Sequence, residues 1–172
     1  MADGTIAIMI TLDDAHEGGF QDNPNDRANW TSGKVGVGEL VGTNGGITAL
    51  DMPGADIRNL TTEQKVTYYL NNYWKPFYSQ IVSQIAANKL FDMGVLFGIG
   101  TAVKILQGVL GVPVDGNFGP QSLALLNTLT VPSAGSILTA YKARLHVYAA
   151  EVAAMNPLEA PARPAWDRRI DS

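Results

Sequence analysis

Hydrophobic and polar positions along the 172-residue chain form a run of helical stretches broken by one long irregular segment. Ile6, Met9 and Ile10 recur at helical spacing and predict a first helix over residues 3–16 with these side chains inward. Glu17 lies about three turns beyond Ile6 and on the same face. Gly18-Gly19 is a helix stop, because glycine takes the left-handed cap conformation without steric cost. Residues 18–59 then carry many Gly, Asn, Asp, Pro and Thr with little helical periodicity. Inside a compact domain such a stretch is either functional or disordered. Val35, Val37, Leu40 and Val41 alternate there with Gly36, Gly38 and Gly42, which predicts a short β-hairpin or ribbon. The run Lys34-Val35-Gly36-Val37-Gly38 lacks the terminal Gly-Lys-Ser/Thr of a phosphate loop.

Helical pattern resumes at Thr61, which with Gln64 three residues on makes a capping-box signature. Val66, Tyr69, Leu70 and Tyr73 line one face of this helix, and Trp74, Phe77 and Tyr78 follow, with Pro76 breaking the run. Residues 79–97 read as a long helix with Ile81, Ile85, Leu90, Met93 and Phe97 inward. After Gly98-Ile99-Gly100 the pattern continues over 101–110 through Val103, Leu106 and Leu110. Asp115-Gly116 and Gly119-Pro120 mark turns, and Pro120 suits the first position of a helix over 121–129. A last long helix over 136–155 carries Ile137, Tyr141, Leu145, Tyr148 and Val152 in register. The tail, 157–172, is Pro-rich, and its Trp166 is expected to dock on the body. The fold class is therefore mainly α, with one irregular or β-containing insertion.

Composition narrows the function. Hydrophobic residues make up 46% and charged residues 16%, a globular balance for one domain or two small units sharing a core. Cysteine is absent and His16 and His146 are the only histidines, so no metal site and no cofactor is expected. Residues 1–63 hold ten acids against three bases, a net −7, while 64–172 hold nine bases against six acids, a net +3. An acidic first half argues against nucleic acid as partner. No stretch reaches about 18 apolar residues, so no stable membrane insertion is expected. The first residues lack the basic start and long apolar run of a secretory signal peptide, so synthesis in the cytoplasm is expected.

Glu17 is the candidate for chemistry. In the last turn of a helix it would sit beside unpaired carbonyls and the negative end of the macrodipole while facing an apolar interior. Both influences raise a carboxyl pKa, as a general acid near neutral pH requires. The alternative is a solvated Glu before an ordinary C-cap.

Several islands, taken in order, resemble the glycoside hydrolase family 108 lysozymes with their companion peptidoglycan-binding region. In the first half they are Glu17-Gly18-Gly19-Phe20, Asn23-Pro24 with Asp26, Thr43-Asn44-Gly45-Gly46-Ile47-Thr48, and Tyr73-Trp74. The second half adds Leu90-Phe91-Asp92-Met93-Gly94, Ala102-Val103-Lys104-Ile105-Leu106-Gln107, and Val114-Asp115-Gly116 through Gly119-Pro120-Gln121-Ser122-Leu123. Trp166 with Arg169 resembles the family's closing signature. The family commonly places Thr-Asn a few residues after the Asp, whereas here residues 27–42 intervene.

The resemblance implies a lysozyme-like helical fold, with the insertion near the active-site cleft. It also implies cleavage of the β-1,4 bond between N-acetylmuramic acid and N-acetylglucosamine, with Glu17 at the catalytic position. Such hydrolysis needs a protonated acid at the leaving oxygen and a group that manages water or the oxocarbenium charge. Asp26, nine residues on, and Thr43 in the Thr-Asn island are the expected supporting residues; Thr31 is the alternative to Thr43, and Asp22 is the turn-forming competitor of Asp26. Trp30, an aromatic in a polar, Gly-rich segment, is expected either to touch sugar or to pin the loop. Asn44, Tyr73 and Asp115 are further expected substrate contacts within the islands. Residues 1–87 would form the catalytic part and 88–172 a peptidoglycan-binding part packed with it. The reading is a monomeric endolysin-type muramidase, of phage or prophage kind, reaching the wall through holin-type release. Its rivals are a non-catalytic peptidoglycan-binding or secretion-accessory protein and a structural component of a phage particle.

Overall fold

The computed structural model describes residues 1–12, 19–128 and 131–172, those at 131–134 in backbone only. Glu17 and His16 lie outside the described residues. Contacts divide the chain into two compact units, Met9–Asn72 and Met1–Ile8 with Tyr73–Ser172. Among the described residues the fold is mainly α, with seven α-helices and one small antiparallel sheet.

The first helix, α1, is described over Gly4–Thr11 and buries a different face from the predicted one, while 13–16 of the predicted span lie outside the described residues. Ala7, Ile8 and Thr11 are inaccessible to solvent, whereas Ile6, Met9 and Ile10 are exposed. Gly4, Ala7, Ile8 and Thr11 also keep helical spacing, and their small side chains let this face pack closely. The apolar face on which Glu17 was expected to lie is thus a solvent face over Ile6–Ile10 in α1.

Within Met9–Asn72 the sheet runs β1 (Phe20–Gln21), β2 (Thr43–Asn44) and β3 (Ile47–Thr48), antiparallel in that order. Thr43 pairs with Gln21 and with Thr48. Strands β2 and β3 are joined by Gly45-Gly46, both at positive φ (56° and 75°), the backbone a tight two-residue hairpin demands. The hairpin therefore sits one island later than the Val/Gly alternation predicted. Residues 35–42 form no strand, with Leu40 making an isolated bridge to Trp30, and Val35 and Val37 point to solvent. Gly42 is obligatory, because a Cβ there would meet the Phe20 ring at 2.5 Å and the Gln21 carbonyl oxygen at 2.6 Å. Helix α2 (Thr62–Asn72) opens with the expected capping box. The Thr61 amide donates to Gln64 Oε1 at 2.8 Å, and the Gln64 amide donates to Thr61 Oγ1 at 3.2 Å.

The other unit is built on α3 (Gln84–Phe97), α4 (Ile99–Leu110), α5 (Pro120–Thr128), α6 (Val131–Met155) and α7 (Arg163–Asp171). Leu90, Met93, Val103, Leu106, Leu110, Tyr141 and Leu145 are buried as their periodicity predicts. Ile85 is not. Helix α3 begins only at Gln84, capped by Ser83, and Ile85 is 66% exposed, bordering an apolar cavity of about 490 Å³. Trp74 stacks on Tyr78 at 4.9 Å and reaches Phe91 at 5.4 Å, and its Nε1 donates to Ser79 Oγ at 2.9 Å. These aromatics are core, and Trp74 has its polar edge satisfied.

The tail forms a helix, α7, where only a Pro-rich docking segment was expected. Pro164 falls in its first turn, where a missing N–H costs nothing. Trp166 meets the Phe97 ring edge-on at 5.8 Å. Arg169 enters the core and donates from Nε to Asp92 Oδ1 at 2.7 Å, joining two of the sequence islands. No helix of the described residues is long and apolar enough to cross a membrane.

A histidine clamps α7 to α6. His146 Nδ1 lies 2.7 Å from Asp167 Oδ1, and Nε2 lies 2.8 Å from Asp171 Oδ1. Partial burial would lower its pKa, but the hydrogen bonds to Asp171 and Asp167 outweigh this and raise it above the usual 6.5. A group whose pKa is raised by folding contributes its full stability below the unfolded pKa. That contribution is lost as pH rises through the folded value. The melting temperature is therefore expected to fall as pH climbs above about 6.5, and His146→Gln to flatten that dependence. Parallel profiles for the two proteins would contradict the clamp.

Candidate functional site

Two candidate residues of the first half, Asp26 and Thr43, are linked through one buried side chain, Asn29. Asp26 caps the 3-10 turn Arg27–Asn29, its Oδ1 accepting from the Ala28 amide at 2.9 Å. That turn carries Asn29 inward, where it is inaccessible to solvent. Its backbone oxygen accepts from the amides of Val41 and Gly42, which returns the chain to β2. Thr43 Oγ1 donates to Asn29 Oδ1 at 2.7 Å. Gln21, paired with Thr43 in the sheet, donates from Nε2 to Asp26 Oδ2 at 3.2 Å and to Asn29 Oδ1 at 3.0 Å. Asp26 and Thr43, seventeen residues apart, are thus ends of one hydrogen-bonded chain through Gln21 and Asn29.

Thr31 is elsewhere. Its Oγ1 accepts from the Glu39 amide at 3.0 Å, and its own amide donates to the Glu39 carbonyl oxygen at 3.0 Å, closing the outer loop. Asp22 pairs with Arg58 at 2.8 Å, and that guanidinium lies 4.0 Å over the Phe20 ring. Of the two threonines, only Thr43 joins the Asp26 chain. Asn44 is committed to the fold: its Nδ2 donates to the Ile57 and Arg58 carbonyl oxygens, and its Oδ1 accepts from Lys65 Nζ at 3.0 Å. Substrate would have to displace one of the two carbonyl oxygens to accept from the amide nitrogen.

Trp30 is half-buried, and its Nε1 donates to the Pro24 carbonyl oxygen at 2.9 Å. This bond pins the outer loop to the Asn23-Pro24 turn. Trp30→Ala is expected to lower the melting temperature by several degrees, since the lost bond alone is worth about 1 kcal/mol. An unchanged melting temperature with weakened binding to peptidoglycan would assign the ring to substrate instead.

Tyr73 and Asp115 belong to the other unit. Tyr73 is half-buried just after α2. Asp115 opens the turn before α5, and its Oδ1 accepts from the Asn117 amide and from Gln107 Nε2, each at 2.8 Å. The Asn117 amide and then Gln107 hold its carboxyl below the usual carboxylate range. Gln107 is itself buried and accepts from the Gly116 amide at 2.9 Å, so the Asp115-Gly116 turn is stapled to α4.

Gln21 and Asn29 did not stand out in the sequence. Neither belongs to a spacing motif, and Asn29 is one of several asparagines in a turn-rich stretch. The only sequence signal for Asn29 is its place three residues past a capping Asp. No cluster of His, Asp and Glu suited to a metal ion occurs among the described residues.

A family model described as Glycosyl hydrolase 108 matches residues 12–98, half of the chain and all of the Asp26–Thr43 network. The chain is also similar in fold to a structure titled "Structure of Brucella abortus SagA", with a TM-score of 0.62. That alignment covers 98% of this chain and 94% of the other, at 22% identity. At that identity the likeness speaks to the fold, and it runs through both halves. No curated protein sequence matches the chain.

Proposed function

The chain belongs to the glycosyl hydrolase 108 family, and from that premise we propose that it is an N-acetylmuramidase acting on peptidoglycan. Membership supports a glycoside hydrolase of lysozyme-like kind; the bond cleaved and the residues that cleave it are the proposal. Glu17 would be the general acid that gives its proton to the leaving glycosidic oxygen, and Asp26 and Thr43 would manage the attacking water. The observation that carries this reading is the hydrogen-bonded chain from Asp26 through Gln21 and Asn29 to Thr43. It brings together a carboxylate and a hydroxyl, the groups that water handling needs.

Two features favour catalysis over a purely binding role. Carboxylic acids stand at Glu17 and Asp26, and Asp26 keeps lone pairs on an exposed segment although one oxygen caps a turn. Residues 88–172, nearly neutral with seven bases against six acids, are proposed to engage the wall polymer through the Asp115-Gly116 turn. Action as a monomeric endolysin, released through a holin-type pore, is the biological setting of the same proposal. Its test is lysis of cells only on co-expression with a holin.

The site is tested with purified peptidoglycan. Asp26→Asn and Thr43→Val are each expected to lower the solubilisation rate by less than loss of the acid does. The double variant is expected to be no worse than the more impaired single one, because residues acting on one water are non-additive. Full activity in Asp26→Asn would remove the carboxylate from the mechanism.

A further inference from the structure

The amides of Gln21 and Asn29 form a closed pair whose polarity is dictated by a third residue. Gln21 Oε1 must be the oxygen, because it accepts from the Asn23 backbone amide at 3.0 Å. Asn29 Nδ2 must be the nitrogen, because it donates to the Asn23 carbonyl oxygen at 2.9 Å. Backbone groups cannot exchange these roles, so both side-chain amides are locked in one orientation. The remaining Asn29 Nδ2 hydrogen closes the pair on Gln21 Oε1 at 2.8 Å. Gln21 Nε2 then directs one hydrogen to Asp26 Oδ2 at 3.2 Å and the other to Asn29 Oδ1 at 3.0 Å. Asn29 Oδ1 can only accept, so the Thr43 hydroxyl, 2.7 Å away, must donate.

We infer that Gln21 and Asn29 are positioning residues that fix the hydrogen-bond polarity of Asp26 and Thr43, leaving both with only acceptor lone pairs for an incoming water. The inference rests on the reading of Asp26 and Thr43 as the water-handling pair. A water that reaches either group must give it a hydrogen and so keeps its own lone pairs for the anomeric carbon. A Thr43 hydroxyl free to turn could donate to that water and occupy the lone pair that attack requires. Fixing the rotor beforehand removes a reorganisation step from the reaction. Asn29 lies inside the 27–42 segment, so the stretch that separates Asp26 from Thr43 in sequence supplies the link that reunites them.

Gln21 is solvent-exposed, which makes it the position to change without emptying the interior. In the full chain, Gln21→Glu would replace the donor facing Asp26 by a carboxylate. Like charges in contact disfavour ionisation, so the acid limb of the kcat/KM profile on purified peptidoglycan is expected to move up by about one pH unit. Arg27 and the Asp22–Arg58 pair, the other charged groups of these elements, are the same in both proteins and do not generate the difference. Gln21→Leu removes the donor without adding charge, and is expected to lower kcat about 10-fold with KM in place and to move the limb up by less than Gln21→Glu does. A merely structural role would change the melting temperature and leave the acid limb of Gln21→Leu where it was. Wild-type kcat and an unmoved limb in both Gln21 variants, with Asp26→Asn and Thr43→Val impaired, would overturn the positioning role alone. Full activity in Asp26→Asn and Thr43→Val would overturn the water-handling reading and the inference built on it.

Discussion

Asp92→Ala is expected to cost about 3–5 kcal/mol of stability. Asp92 is the one anion in a buried cluster with two cations. Arg169 Nε and one terminal nitrogen donate to the Asp92 side chain and backbone oxygen, at 2.7 and 3.2 Å. Lys89 Nζ lies 3.7 Å from Asp92 Oδ2 and donates to the Arg169 carbonyl oxygen at 2.8 Å. Burial lowers the Lys89 pKa, and Asp92 pulls it back up. Removing Asp92 leaves two interior positive charges facing each other. Arg169→Met removes one cation and leaves Asp92 with Lys89, so its cost should be smaller. Thermal and denaturant unfolding of the two variants give the comparison directly. An Arg169→Met protein less stable than Asp92→Ala would mean that Lys89 does not share the carboxylate.

Glu17→Gln is expected to reduce lysis on the order of 10²–10⁴-fold while leaving the fold intact, because the amide keeps the acid's shape and cannot deliver its proton. The expectation rests on the family match, which begins at residue 12 and includes Glu17. The helix face before Glu17 offers no apolar support, since Ile6, Met9 and Ile10 are exposed in α1. Circular dichroism and melting temperature should match the parent protein. A variant with the parent's lytic rate would remove Glu17 from the mechanism and make Glu39 the next acid to test.

The helices with a strong apolar period were legible in the sequence. Val103, Leu106 and Leu110 lie on one stripe of α4, and Pro120 starts α5, as expected of a proline at a first helical position. The Thr61–Gln64 box was legible because its two side chains satisfy two backbone donors whatever surrounds them. The buried face of α1 was not. Hydrophobicity favours Ile6, Met9 and Ile10, but close packing selects the smaller Gly4, Ala7 and Thr11 beside Ile8. Helix α7 was hidden by Pro161 and Pro164, which break a helix interior and are harmless at its start. The strands of the sheet are two residues long, too short for alternation to register, so Gly45-Gly46 was their only mark.

At the candidate site, Asp26 and Thr43 stood out in the sequence as residue types and as islands. Their connection was not, because it passes through a neutral amide pair whose two members are eight residues apart. Amide pairs leave no charge pattern and no spacing rule. They become visible only when the chain has folded and the burial of Asn29 demands a partner for each polar atom.

The most direct measurement is mass spectrometry of the soluble products released from purified peptidoglycan by the unmodified protein. A muramidase leaves N-acetylmuramic acid at the new reducing end, with one water added across each bond cleaved, and Glu17→Gln releases these products far more slowly. Reducing-end N-acetylglucosamine, anhydro-muramic termini, or no release at all would contradict the account.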